Sequence, residues 1–269
     1  MRTTAVVWSQ TASQHARLLW FGSVALCEWK GTAVAGLLVI GHSKTATLRR
    51  LGDWFAQDGL DADVVFGGDG LPDDLRGYSG VMVLGGAPLP YRDDAYPWLP
   101  ATRALTREAI DKDLPYLGIC LGGQLLAYTA GGRVERRVYQ PERGMTELSV
   151  LSIAAEDPLF SVLPQRFWMA ENHQDHITAL PEGAVCLAHS ERTPVQGFRI
   201  GTCQWGLQFH PEVAAENIRQ WDAESKAECA ADGFAWPDVL ATAEQHDQEN
   251  TAVARRFADR FAQLVLDKA

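Results

Sequence analysis

Cys120 is the residue in this chain best placed for covalent chemistry. It closes the apolar run Pro115-Tyr116-Leu117-Gly118-Ile119 and precedes Leu121-Gly122-Gly123-Gln124 and the helix-forming Leu125, Leu126 and Ala127. Glycines two residues before the thiol and two and three after it predict a strand, a sharp turn and a helix, with sulfur at the apex. This is the layout of the G-x-S-x-G nucleophile elbow with sulfur in place of oxygen. A Cβ at those glycines would clash where strand and helix approach. The N–H groups and positive dipole end of the helix favour the thiolate, the nucleophilic form. Cys27, Cys186, Cys203 and Cys229 have neither a glycine cage nor a helix start, and read as small buried hydrophobes.

A base for that thiol ends a second apolar strand, Trp205-Gly206-Leu207-Gln208-Phe209-His210-Pro211-Glu212-Val213. Pro211 removes a backbone donor and pushes His210 into an extended conformation. Residues two apart in an extended chain face the same side, which lets Glu212 lie beside the imidazole, orient it and stabilise the imidazolium. Cysteine, histidine and carboxylate in these roles make a triad for acyl transfer. Gly85-Gly86 follows the strand Val81-Met82-Val83-Leu84. It is read as a place where backbone N–H groups receive an oxyanion, with a plain strand-to-loop turn as the rival reading.

On Gly85-Gly86, Gly118 through Gln124 and Gly206 through Glu212, the chain resembles the class I (triad-type) glutamine amidotransferases. Within them it is similar to stand-alone proteins that look like the glutaminase domain of GMP synthase, over about Gly36 to Ala215. The resemblance implies that a cysteine attacks the side-chain amide of glutamine, ammonia leaves, and the γ-glutamyl thioester is hydrolysed to glutamate. Cys120 is then the nucleophile, His210 the acid/base and Glu212 its orienter. The oxyanion hole is the backbone N–H of Leu121 and of Gly86, and Gln124 helps to hold glutamine.

His173 and Asp175, in Glu171-Asn172-His173-Gln174-Asp175-His176, match a family His-x-Asp segment near the glutamine site. They are expected to hold the α-amino or α-carboxyl end of the substrate; a solvated loop fits the same residues, and His176 is given no role. Ala87 stands where many relatives have proline. Arg143, in Tyr139-Gln140-Pro141-Glu142-Arg143-Gly144, replaces an apolar residue of a family loop, which bears on substrate-side contacts. Relatives pass ammonia to an ATP-dependent synthetase. No G-x-x-x-x-G-K-[ST] phosphate loop occurs here, so acceptor chemistry calls for a synthetase as partner subunit. Two alternatives stay open: a γ-glutamyl amide or peptide hydrolase with the same triad, and a non-catalytic or redox-sensing module, whose members lack the His-Pro-Glu pair. No cofactor is implied.

At 269 residues and 46% hydrophobic, the chain can bury the core of one domain with appendages. A formal charge of −10 without clustered Lys/Arg argues against nucleic-acid and anionic-membrane partners. Five scattered cysteines argue for a reduced, cytoplasmic setting. No Cys-x-x-Cys or Cys/His cluster marks a metal site. Residues 1–35, whose apolar stretch Leu18–Cys27 is far shorter than a membrane span, are read as an N-terminal extension.

From Gly36 the pattern alternates strand and helix: Leu37–Ile40, a helix around Leu48, Leu51, Trp54 and Phe55, Asp63–Phe66, Val81–Leu84, and a helix from about Trp98 to Lys112. Repeated β-α-β predicts an α/β fold, a parallel sheet with mixed edges flanked by helices, which the resemblance makes flavodoxin-like. Gly86, Cys120 and His210 all fall at carboxyl ends of strands, where such sheets bind ligands. Met145–Ile153, Ala184–Ala188, Gln196–Ile200 and Thr202–Phe209 look like strands, with a hairpin at Gly201. A helix over Ala214–Ala231 is expected to close the domain at 231. Residues 232–269 carry a final helix from about Pro237, with Val253, Phe257, Phe261 and Leu264 on one stripe. Core packing is the simpler reading of that stripe and a homodimer surface the other.

Overall fold

A computed structural model describes residues 36–44 and 46–269. The expected N-terminal extension lies outside them. In chain order the elements are β1 Gly36–Gly41, α1 Arg50–Gln57, β2 Asp61–Phe66, β3 Tyr78–Val83, α2 Leu99–Asp111, β4 Tyr116–Ile119 and α3 Leu121–Thr129. They continue through β5 Arg133–Arg136, β6 Glu142–Val150, β7 Arg166–His173, β8 Asp175–Ala179, β9 Val185–His189, β10 Gly197–Ile200 and β11 Gln204–Leu207. Three helices close the chain: α4 Ala215–Arg219, α5 Ala223–Ala231 and α6 Trp236–Leu266.

Nine strands form one sheet in the order β2-β1-β3-β4-β11-β10-β9-β6-β7, and β5 pairs with β8 in a second, two-stranded sheet. From β2 to β11 all pairs are parallel. Beyond β11 they are antiparallel. The order reverses between β1 and β3, the kind of crevice where open α/β sheets receive ligands. The nearly all-apolar central strands are explained by burial on both faces. Leu37 and Val39 point to the layer containing α1 and α6, with Met82, Leu117, Phe257 and Phe261. Leu38 and Ile40 point to the opposite layer, with Val81, Val83, Leu99, Leu105 and Leu125. The stripe of α6 is therefore core, with one change: Val265 takes the fully buried position expected of Leu264, which is partly buried.

Three sequence expectations need correction. The helix expected over Ala214–Ala231 is two helices, because the Asp222 carboxylate accepts from the Ser225 N–H and starts α5 afresh. Strands β5, β7 and β8 were not anticipated. β7 carries Trp168, Glu171, Asn172 and His173, whose polar side chains obscure a strand pattern. The segment bearing His173 and Asp175 is therefore not a solvated loop: His173 ends β7, Asp175 begins β8, and both are buried. Residues 232–269 belong to the same compact unit as the sheet.

Candidate active site

The chain turns from β4 into α3 at Cys120, whose φ of 50° lies in the left-handed region that L-residues occupy only under constraint. The constraint is visible in the glycines around it. A Cβ on Gly118 would stand 2.3 Å from the Gly122 backbone, and one on Gly122 would stand 2.0 Å from the Val83 carbonyl oxygen. Without side chains there, α3 settles directly onto β3 and β4. The thiol is held at the mouth of the sheet, 6% exposed. Leu121 is the first residue of α3, and the N–H groups of a first helical turn have no partner within the helix.

His210 follows β11, the strand beside β4. Its Nδ1 lies 2.6 Å from Glu212 Oε1, and its other nitrogen, Nε2, is buried without a hydrogen bond. Gly85 places the two side chains together: a methyl on it would come within 3.1 Å of His210 Cε1 and 3.5 Å of Cys120 Cβ. Burial alone lowers the imidazole pKa, but the Glu212 carboxylate and the Cys120 sulfur more than offset it and hold His210 well above its ordinary value. The backbone N–H of His210 donates to the Ala170 carbonyl at 2.8 Å, bridging the loop to β7. Arg50 of α1 braces the same loop, donating to the Pro211 carbonyl at 2.8 Å, to Asn250 Oδ1 at 2.8 Å and to Thr251 Oγ1 at 3.1 Å on α6.

Cys120, His210, Glu212 and Gly85 line one cavity of about 550 Å³. Gly86, Gln124, His173 and Asp175 border it too, so the expected site residues meet in one place, except Leu121, which is buried behind Cys120 and does not line the cavity. The Gln124 amide is already engaged, donating to Gln208 Oε1 at 3.3 Å and to the Asp175 carbonyl at 3.2 Å. Asp175 pairs with Arg136 at 3.0 Å, and His173 Nε2 lies 3.0 Å from Glu142 Oε2. Arg143 does not reach for solvent. It is buried and bonded to Asn172 and Asp232, which fastens the end of α5 beside the cavity. Residues Trp221, Asp222, Ser225 and Glu228 form the far wall.

Sequence reasoning missed Gln208, whose Nε2 points at the Cys120 sulfur from 3.7 Å, and the buried carboxylates Glu142 and Glu171. A lone glutamine within the apolar run Trp205–Phe209 was the available signal for the first. Glu142 is held below the usual carboxylate range against the cost of burial, chiefly by His173. Burial, reinforced by the Glu142 charge, pushes Glu171 well above it. His176, given no role from sequence, is fully buried edge-on to His173 and Tyr139, and burial lowers its pKa to about 4.

Comparison with known proteins places this arrangement. The chain is 41% identical to the glutamine-hydrolyzing GMP synthase of Thermomicrobium roseum over 138 residues, 50% of this chain and 23% of that protein. To a subunit of the glutamine-hydrolyzing GMP synthase of Thermococcus kodakarensis it is 40% identical over 103 residues, 38% of this chain and 53% of that one. The chain thus spans between a quarter and about half of the length of these curated relatives. A crystal structure of a glutamine amidotransferase from Thermotoga maritima superposes with a TM-score of 0.75 at 29% identity, covering 85% of this chain and 98% of that one. The family profile "Glutamine amidotransferase class-I" matches residues 69–220, more than half of the sequence, and the chain belongs to that family.

Proposed function

We propose that the protein hydrolyses the side-chain amide of glutamine to glutamate and ammonia through a thioester on Cys120. The observation that carries this reading is the left-handed elbow at Cys120 beside an imidazole whose other face is held by Glu212. Cys120 gives its proton to His210 Nε2, and its sulfur attacks the amide carbon. The N–H groups of Leu121 and Gly86 receive the oxyanion, and His210 returns the proton to the departing ammonia. A water then attacks the thioester with His210 as base, releasing glutamate. Gln208 donates toward the sulfur, and Gln124 holds Gln208. The relatives named GMP synthase support a further step, transfer of the ammonia to a partner synthetase.

A second reading rests on the size of the cavity. About 550 Å³ reaching Trp221 and Glu228 is more than glutamine fills, and it suits a γ-glutamyl compound with a larger amine. The test is product analysis with glutamine and a set of γ-glutamyl amides, together with mass spectrometry after exposure to a glutamine-mimicking electrophile. Covalent labelling at Cys120 and ammonia release from glutamine are expected, both abolished in Cys120→Ala. Turnover retained in folded Cys120→Ala would remove the proposal, and cleavage of γ-glutamyl amides in preference to glutamine would select the second reading.

A further inference from the structure

We propose that Glu142, Glu171 and His173 bind a first-row divalent cation of the zinc or manganese class in the wall behind the Cys120 cavity. Strand register creates the site. Across β6 and β7, Glu142 pairs with His173 and Gly144 with Glu171, so both carboxylates and the imidazole project from one face of the ladder. One donor atom from each lies within 4.8 Å of the other two. His173 Nε2 is 3.0 Å from Glu142 Oε2 and 3.4 Å from Glu171 Oε2. Bonds of about 2.0–2.2 Å at a tetrahedral angle set ligand atoms roughly 3.3–3.6 Å apart, so closing this set on an ion needs little movement.

The protein itself leaves these groups short of partners. Glu142 is 1% exposed, Glu171 0% and His173 3%. Both oxygens of Glu171, and Oε1 of Glu142, are buried without a hydrogen bond. These open acceptor positions suit a divalent ion, whose charge offsets that of the carboxylates it binds. Gln196 offers a fourth ligand. Its Nε2 donates to Glu142 Oε2 at 2.6 Å while its Oε1 is buried and unpartnered, so turning the amide over directs a carbonyl oxygen at the ion. Imidazole with oxygen donors and no thiolate suits zinc or manganese. Glu171 and His173 border the Cys120 cavity, and Glu142 borders a second one lined by His189 and Arg192. A bound ion would tie β6 to β7 and fix the cavity wall, whatever reaction takes place beside it.

The test is titration of the chelator-treated full chain with Co²⁺ and Zn²⁺, reading Co²⁺ ligand-field absorption and Tm. One equivalent of Co²⁺ is expected to bind without a thiolate charge-transfer band. Zn²⁺ should raise Tm by roughly 5–10 °C at a hundredfold excess over Kd. Cys120→Ser should keep both signals, while Glu171→Gln and His173→Gln weaken binding at least about tenfold. Uptake by Glu171→Gln equal to that of the parent, or uptake lost in Cys120→Ser, overturns the proposal. Should the two glutamine variants fail to fold, the parent and Cys120→Ser titrations decide alone, and no saturable uptake at millimolar metal overturns it.

Discussion

At the scale of single residues, the proposed mechanism depends on where His210 keeps its proton. Glu212, 2.6 Å from Nδ1, holds the imidazole well above its ordinary pKa, so replacing that charge has two consequences. Glu212→Gln should lower kcat by roughly 10²–10⁴ while leaving KM nearly unchanged, because the carboxylate acts in the transition state. The alkaline limb of the kcat profile should also move to lower pH, since an imidazole without its carboxylate loses the proton sooner. A kcat–pH profile of the variant that overlays the parent would reduce the triad to a dyad. Cys120, His210 and Glu212 were legible because elbow and strand end each compress a role into a few consecutive residues. Glu142, Glu171 and Gln196 were not, because they meet only through the register of β6 against β7 and the neighbouring bond from Gln196. Nothing in their spacing along the chain brings them together.

At the scale of elements, α6 packs chiefly across the antiparallel strands β6 and β7 and reaches β3 at its end. Phe257 is 1% exposed and meets the Phe160 ring edge-on, with centroids 5.5 Å apart. Phe257→Ala should cost about 3–5 kcal/mol, read as a lower denaturant midpoint at unchanged m-value. A loss below about 1 kcal/mol would mean that α6 is peripheral to the sheet. The helix was readable because a stripe at helical spacing survives any neighbour. The parallel strands were readable because burial on two faces leaves uninterrupted apolar runs. β7 was unreadable for the opposite reason: its last three residues, Glu171, Asn172 and His173, are all polar although Glu171 and His173 are buried, so hydrophobic alternation breaks down there.

At the scale of the whole molecule, the fold carries a built-in sensitivity to acid. His42, just after β1, accepts from Trp98 Nε1 at 3.1 Å and packs behind Gly86. Burial lowers its pKa from 6.5 to about 4. Between those values the unfolded chain binds a proton that the folded one refuses, so this contribution is complete above pH 6.5 and is lost as pH falls toward 4. The loss is on the order of 3 kcal/mol. His42→Gln keeps an acceptor for Trp98 and cannot titrate. Its denaturant midpoint should therefore fall less than that of the parent between pH 6.5 and 4, and parallel curves would show that His42 is not the group responsible.

The bracing of the His210 loop by Arg50 bears on what can be inherited or transplanted. The stretch shared with the family runs from residue 69 to residue 220 and contains both Cys120 and His210, the proposed nucleophile and base. The clamp on Pro211 comes from Arg50 before that stretch, anchored on Asn250 and Thr251 after it. Grafted onto another frame, the shared stretch would carry its reactive side chains and leave their brace behind. The smallest portable unit is thus larger than the recognisable one, and it takes in both Arg50 and α6.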